Sequence, residues 1–469
     1  MTKIKISVVL LVLLSSFGFS QDYATRFSLQ EAIDFALANS RMALSAQLDI
    51  DAAEKQQWET IATGLPQVDF SANYQNFLKQ QVSVVPNAFF DNRQSTINTV
   101  EEFFDLTANG SPQTRDGFSE IVFGAKQSVN ATAQLNQLLF DGSYIVGLQA
   151  SKVFLEISEN AKVKTDLEIR KAVINAYGNV LLAQESEAIL INNRDVLQQN
   201  LDETRKIYEN GLGEEESVEQ LQITLAGLGS LLNNATRLKK ISLQLFNITL
   251  GIDLNTNVSL TDSLETLSED FVSLELLNAR TSIENTIDYK IAENDVKSKE
   301  LLVKLEKSKA LPRLAAYLNG GYLGFSDDFT FFNSDQRWAG FSSFGLNLNV
   351  PIFSSGGRAA KTERAKINLE KSQLNLSDVE QQTLLQIETA RSNYRFAIED
   401  FEIKKDNLQL AERIEAKNQT KFFEGIGSSF ELRQAQLQLY TAQNEYLEAM
   451  LAVINQKTEL ETALNLPNN

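Results

Sequence analysis

The sequence predicts an α+β chain in which one unit is written twice, each copy joining two strand-length segments to a hairpin of very long helices. Three observations predict it. Residues recur at two fixed spacings, two stretches of 67 residues contain no proline, and four segments of about ten residues alternate apolar with polar.

The first element is expected to be a signal peptide over residues 1–20. Lys3 and Lys5 give a positive start, Ile6 to Leu14 an apolar core, and Gly18-Phe19-Ser20 the small residues of a cleavage site before Gln21. Nine apolar residues fall well short of the ~20 that cross a bilayer as a helix, so an uncleaved anchor is the weaker reading. No later stretch approaches eighteen consecutive apolar residues, so any membrane crossing has to be made by strands. Losing Lys3 and Lys5 takes the net charge from −18 to −20, which argues against nucleic acid as a partner. The absence of cysteine removes disulfides, thiolate chemistry and N-terminal lipidation. The absence of histidine removes the commonest general base and metal ligand.

The repeat sets the organisation. At a spacing of 214, Gly142 matches Gly356, Lys152 matches Lys366, Ala176 matches Ala390, and Gly211-Leu212-Gly213 matches Gly425-Ile426-Gly427. At 246, Ala46 matches Ala292, Asp49 matches Asp295, and Leu65-Pro66 matches Leu311-Pro312. Generic coiled-coil similarity would match only the apolar positions, so Gly, Pro and Asp coinciding as well indicates a duplication. The difference between the spacings puts an insertion between Pro66 and Gly142. The expected organisation is a first repeat over 21–250, a connector over 251–275, a second repeat over 276–455 and a tail over 456–469.

Each copy reads helix, strand, strand, long helix, glycine turn, helix. Val68, Phe70, Ala72 and Tyr74 alternate with Asp69, Ser71, Asn73 and Gln75, and Val129 to Asn136 repeat the pattern. In the second copy Leu314, Ala316, Leu318 and Tyr322 form one strand face, and Phe344, Leu346, Leu348 and Val350 another. Ten residues is the length of a tilted membrane strand, though a half-buried soluble sheet has the same period. Phe70, Tyr74, Phe77, Tyr317, Tyr322, Phe341 and Phe344 are candidates for aromatic girdles, with Asn76–Lys126 and Gly324–Gly340 as loops.

The helices favour the membrane reading. Ser143–Glu209 and Gly357–Phe423 would each extend roughly 100 Å at ~1.5 Å per residue. Narrow apolar seams follow, over Val218, Leu221, Leu225, Leu228, Leu232 and Ala235, and over Leu432, Ala435, Leu439, Ala442, Tyr446, Ala449 and Val453. Leu384, Ile387, Tyr394, Ile398, Phe401 and Leu408 continue the spacing on the long helix. Such seams want neighbouring helices rather than a thick core. Four strands cannot close a barrel and open edges in lipid are forbidden, so copies have to combine. Two copies would give eight strands and three would give twelve, the wider ring suiting a water-filled lumen.

The glycine turns are the sharpest candidate site. Gly211, Gly213, Gly425 and Gly427 permit the positive φ that a tight reversal needs. Beside the first turn stand Glu209, Glu214, Glu215 and Glu216. Repeated by symmetry they would ring an entrance and select cations, or they simply favour a solvated helix start. There is no phosphate loop, no Ser/His/Asp set and no metal cluster, so no enzyme activity, cofactor or metal is expected.

Several motifs in fixed order carry a resemblance. Ser28–Ser40 (SLQEAIDFALANS), Leu65–Tyr74 (LPQVDFSANY), Leu138–Ser143 (LLFDGS) and Leu348–Arg358 (LNVPIFSSGGR), with the duplicated NGLG and EGIG turns, resemble the TolC-like outer-membrane efflux protein family. The resemblance covers about Phe27 to Leu466. It implies a homotrimer whose four strands per chain complete a twelve-stranded transmembrane β-barrel in the outer membrane of a Gram-negative bacterium, with an α-helical barrel in the periplasm. It implies a passive channel of a tripartite efflux or type I secretion system, partnered by a periplasmic adaptor, an inner-membrane transporter and outer-membrane lipid. It also implies that Gly211, Leu212, Gly213, Gly425, Ile426 and Gly427 form the periplasmic tips where the adaptor docks. A periplasmic adaptor would show one hairpin and several small β domains, and a coiled-coil scaffold has no use for the strands. The exported cargo is not written in the residues.

Overall fold

The protein is described by a computed structural model over residues 26–90, 92–105, 107, 116–279 and 282–466. The expected signal peptide and its cleavage point lie outside the described residues. The first half of the chain forms β1 (Arg26–Phe27), α1 (Leu29–Asn39), α2 (Arg41–Ala62), β2 (Gln67–Asn76), β3 (Val82–Pro86), α3 (Arg93–Phe104), β4 (Phe118–Val122), β5 (Gln127–Asp141), α4 (Gly142–Glu209) and α5 (Glu215–Leu250). Then come β6 (Ser259–Leu260), α6 (Leu264–Asp270), α7 (Leu274–Leu277), α8 (Ile287–Ser308), β7 (Arg313–Ser326), β8 (Trp338–Asn349), α9 (Gly357–Phe423) and α10 (Ser429–Ala463). The duplication is a duplication of elements. Both ends of α2 and α8 differ by 246, and the starts of α5 and α10 by 214. The connector holds β6, α6 and the start of α7, while α10 runs through position 455 to Ala463.

Two compact units divide the chain. One collects residues up to 57, 150–303 and 364–469, and is helical. Its core gathers Ile174, Tyr177, Phe246, Leu250, Tyr394, Phe401, Val453 and Ile454 around Phe27 and Ile33. Helix α1 enters it because Leu29, Ala32, Ile33 and Ala36 share one face, and Ser28 with Glu31 closes a capping box at its start. Two buried tyrosines tie the connector to the long helices. The Tyr177 hydroxyl lies 2.8 Å from Asp262 Oδ2 and 3.0 Å from the Phe27 carbonyl, and Tyr394 donates to the Phe271 carbonyl at 2.6 Å. The expected seams are buried at Val218, Leu221, Leu228 and Ala235, and at Leu432, Ala435, Ala442, Ala449 and Val453. On the long helix Ile387, Tyr394 and Phe401 are buried as the spacing requires, but Leu384 is exposed.

The other unit, residues 58–149 and 304–363, carries a four-stranded sheet in the order β2-β5-β7-β8. Every neighbouring pair is antiparallel. Register sorts the side chains by face. Phe70 opposes Ala133, Leu135 opposes Leu318, Leu318 opposes Phe344, and Leu314 opposes Leu348, so these share the apolar face. The other face aligns Asp69 with Gln134, Gln134 with Asn319, and Asn319 with Ser343. Between Leu138 and Phe140 a β-bulge resets the phase. It brings Phe140 opposite Leu314 on the apolar face.

The same register corrects the girdle. Phe70, Tyr74, Tyr322 and Phe344 stay on the apolar face, but Tyr317 opposes Gly345 and Phe341 opposes Gly321 on the polar face. Tyr317 lies over Gly345, whose missing side chain makes the room. The first loop is also more structured than expected. Within Asn76–Lys126, β3 pairs antiparallel with β4 from Val82↔Val122 to Pro86↔Phe118, and α3 lies between them in the chain. The second loop shortens to residues 327–337, where Phe329 and Phe331 pack edge-on against Tyr74 at 5.6 and 6.0 Å.

Candidate functional site

Both long helices end in the same backbone device. At the first reversal Gly211 has φ +74°, its amide donates to the Tyr208 carbonyl at 2.8 Å, and the Leu212 amide donates to Ile207 at 3.0 Å. At the second, Gly425 has φ +77°, with Gly425 donating to Phe422 at 3.1 Å and Ile426 to Lys421 at 3.0 Å. These are paired Schellman closures, and only a residue tolerant of left-handed backbone suits their central position. The expectation of positive φ at all four glycines needs correction. Gly213 and Gly427 do not adopt it; they pack closely against the end of the preceding helix. A Cβ on Gly213 would come within 3.1 Å of Ile207 Cγ2, and one on Gly427 within 3.0 Å of Lys421 Cβ.

Each reversal pushes its middle residue outward. Leu212 is 82% exposed and Ile426 73%. A Schellman turn commonly tucks this residue against the preceding helix. Here two aliphatic side chains are left standing in solvent, which is what a docking surface needs.

The flanks differ in chemistry. In the first, Glu209, Glu214, Glu215 and Glu216 are all exposed. Glu214 occupies the N-cap of α5 without a side-chain cap bond, and Glu215 and Glu216 fill its first turn, where the helix dipole favours acids. Glu216 also accepts from Gln220 Nε2 at 2.8 Å. In the second, Ser428 caps α10: its Oγ accepts from the Glu431 amide at 3.2 Å while Glu431 accepts from the Ser428 amide at 3.1 Å. The Arg433 guanidinium lies 5.5 Å from the exposed Phe430 ring. Among the described residues no hydrogen bond or ion pair joins one reversal to the other.

Between the helical core and the reversals the hairpins also meet in a polar seam that the apolar spacing did not reveal. Asn193 Nδ2 donates to Gln443 Oε1 at 2.7 Å, and Gln419 Nε2 donates to Asn200 Oδ1 at 3.2 Å. Gln436 is 1% exposed and neither atom of its amide has a partner. The signal was present in the duplication, because the 214-residue spacing sets Glu415 where the first copy has Leu201.

The sheet is the second candidate surface. Its apolar face is open, with Phe70 72%, Phe344 69% and Leu348 63% exposed. Strands β2 and β8 each have one edge unpaired by any described strand. Among the described residues no helix is long and apolar enough to cross a membrane.

Comparison with known proteins agrees with this geometry. Residues 278–466 match the family of outer membrane efflux proteins. A 147-residue stretch is 26% identical to the alkaline protease secretion protein AprF of Pseudomonas aeruginosa, covering 31% of this chain and 30% of that one. The match thus spans less than a third of that relative's length. The fold is similar to that of CusC, with a TM-score of 0.70 and 17% identity, covering 96% of this chain and 95% of the other. It is similar to that of the outer membrane protein VceC of Vibrio cholerae, at 0.66 and 16%, covering 93% and 96%. The CmeC outer membrane channel of Campylobacter jejuni gives 0.67 and 18%, covering 96% and 90%. At these identities the likeness establishes the fold alone.

Proposed function

We propose that this chain, whose second repeat belongs to the outer membrane efflux protein family, is the outer-membrane channel of an efflux or type I secretion system. The observation that carries this reading is the sheet with one apolar exposed face, one polar face and two free edges. In lipid an unpaired strand edge costs several kcal/mol for each buried backbone group, about as much as a small domain can spare. Edge β8 of one copy therefore joins edge β2 of the next. Three copies close twelve strands around a polar, water-filled lumen. The helical hairpins serve as staves of a periplasmic conduit. Leu212 and Ile426, exposed on the reversals, are where a periplasmic adaptor docks, and an inner-membrane transporter supplies cargo through it.

The reading is tested by reconstituting the protein from outer-membrane fractions into planar bilayers. A discrete ion conductance is expected, and none should appear if the chain is an adaptor or scaffold. The same measurement tests the acidic tip. Glu214, Glu215 and Glu216, repeated by symmetry, concentrate cations at the entrance. The preference fades as salt rises, because exposed charges are screened beyond about 8 Å at physiological ionic strength. Changing all three to Gln is expected to reduce the cation-selective reversal potential at low salt. An unchanged potential would reduce these glutamates to a solvated helix start.

A further inference from the structure

The duplication supplies an internal control for one buried cluster. In the first hairpin α4 and α5 close over Leu197, Leu201, Val218, Leu221 and Leu228, all buried. The 214-residue spacing sets Ala411, Glu415, Leu432, Ala435 and Ala442 at the equivalent places in the second hairpin. Four keep the apolar character of the seam. The fifth exchanges a core leucine for a carboxyl.

Glu415 is half-buried on α9, facing Gln436 and Tyr440 of α10. One turn along α9, Gln419 reaches Asn200 of α4. Asn200 is itself 3% exposed, and its Nδ2 has no partner. The nearby charged residues Asp202, Glu203, Glu412, Arg413 and Lys417 are turned to solvent. Among the described residues no lysine or arginine pairs with Glu415. Tyr440, with its phenol pushed up to about 12 by burial and by the Glu415 charge, stays protonated under all ordinary conditions.

The chemistry of Gln436 decides what this layer wants. A buried amide left with donor and acceptor both unmade is costly and uncommon. A carboxylate only accepts, so an ionised Glu415 satisfies Nε2 and sets a negative oxygen against Oε1. A neutral carboxylic acid has one O–H to donate and one oxygen to accept, which matches an amide on both sides.

We infer that Glu415 and Gln436 form a proton-operated clasp. One proton taken from solvent onto Glu415 lets its O–H donate to Gln436 Oε1 while its other oxygen accepts from Nε2, and the second hairpin tightens. The first hairpin, with Leu201 in that place, does not respond.

Burial holds the Glu415 carboxyl above its ordinary 4.5, and the nearby Gln436 amide, not yet within a formed hydrogen bond, opposes this only in part. The folded hairpin thus binds the proton more tightly than the open one. The added stability is complete at acid pH and is lost as pH rises through the raised value.

Hydrogen exchange of the full-length assembly tests this, read between about pH 5 and about pH 8 after correction for intrinsic rates. Amides over residues 405–445 are expected to lose protection roughly threefold or more across that range, while the equivalent residues 191–231 stay level. Glu415→Gln, of the same shape, should flatten the response of the second hairpin. Glu415→Leu should flatten it as well, at lower protection, because it leaves the buried Gln436 amide unmade at every pH. A wild-type response of equal size in both hairpins would overturn the inference, and so would a pH dependence that persists in either variant. The readout is independent of conductance, so it stands or fails separately from the channel reading.

Discussion

Phe70→Asp is expected to lower the yield of assembled protein in the outer membrane sharply, and Leu348→Asp to do the same. Phe70 is 72% and Leu348 63% exposed, and both sit on the face aligned through Ala133, Leu318 and Phe344. In a closed barrel that face meets lipid. A carboxylate near mid-membrane costs roughly 1–3 kcal/mol per copy, and symmetry multiplies it. Asn73→Asp provides the control. Asn73 neighbours Asn130 on the polar face, so an added charge there meets water in the lumen and assembly should continue. Heat-modifiable migration of membrane fractions measures all three. If Phe70→Asp assembled as well as Asn73→Asp, the facing of the sheet would be wrong.

The paired variant Gly211→Val with Gly425→Val is expected to abolish export while leaving the assembled barrel in place. Both glycines hold positive φ, where a β-branched residue is strained by roughly 1–2 kcal/mol or more. Relief comes by unwinding the Schellman closures, which moves Leu212 and Ile426 from their exposed positions. The strands belong to the other compact unit, so insertion should survive. Secretion assays beside outer-membrane fractionation separate the outcomes. Loss of insertion would mean the turns serve folding, and normal export would remove the docking role. Gly213→Ala is a milder companion, because its strain is contact with Ile207 rather than backbone conformation.

The contrast between Gly211 and Gly213 shows what a sequence conveys and what it withholds. Glycine at a reversal is legible, but a letter cannot say whether it serves φ or close approach. The long helices were legible because a proline-free run of 67 residues has few other uses, and the strands because alternation fixes a face. Side-chain type alone suggests the girdle for Phe341 and Tyr317, but their pairing with Gly321 and Gly345 sets them on the polar face. The pairing of Val82–Pro86 with Phe118–Val122 is not legible in the sequence, since five-residue strands so far apart in the chain have little periodic signal. Glu415 is concealed for a different reason. A search for apolar heptads passes over a buried carboxyl, although the offset from Leu201 pointed to it.

Closure of the sheet between copies is the central claim, and a cysteine-free chain makes it directly testable. The duplication predicts the register. Within the chain Ala133 of β5 opposes Gly320 of β7. Phe70 opposes Ala133, and its counterpart Ala316, 246 residues on, opposes Leu346, so Leu346 of β8 stands in for Ala133. The same spacing makes Tyr74 of β2 the counterpart of Gly320. Cysteines at positions 346 and 74 should therefore approach within the ~7 Å that a disulfide spans, but only across neighbouring copies. Mild oxidation of the double variant in membranes, followed by denaturing electrophoresis, should give covalent dimers and trimers and nothing larger. A ladder that stops at dimers, one that runs past trimers, or no inter-chain product at all would contradict the closed trimeric barrel.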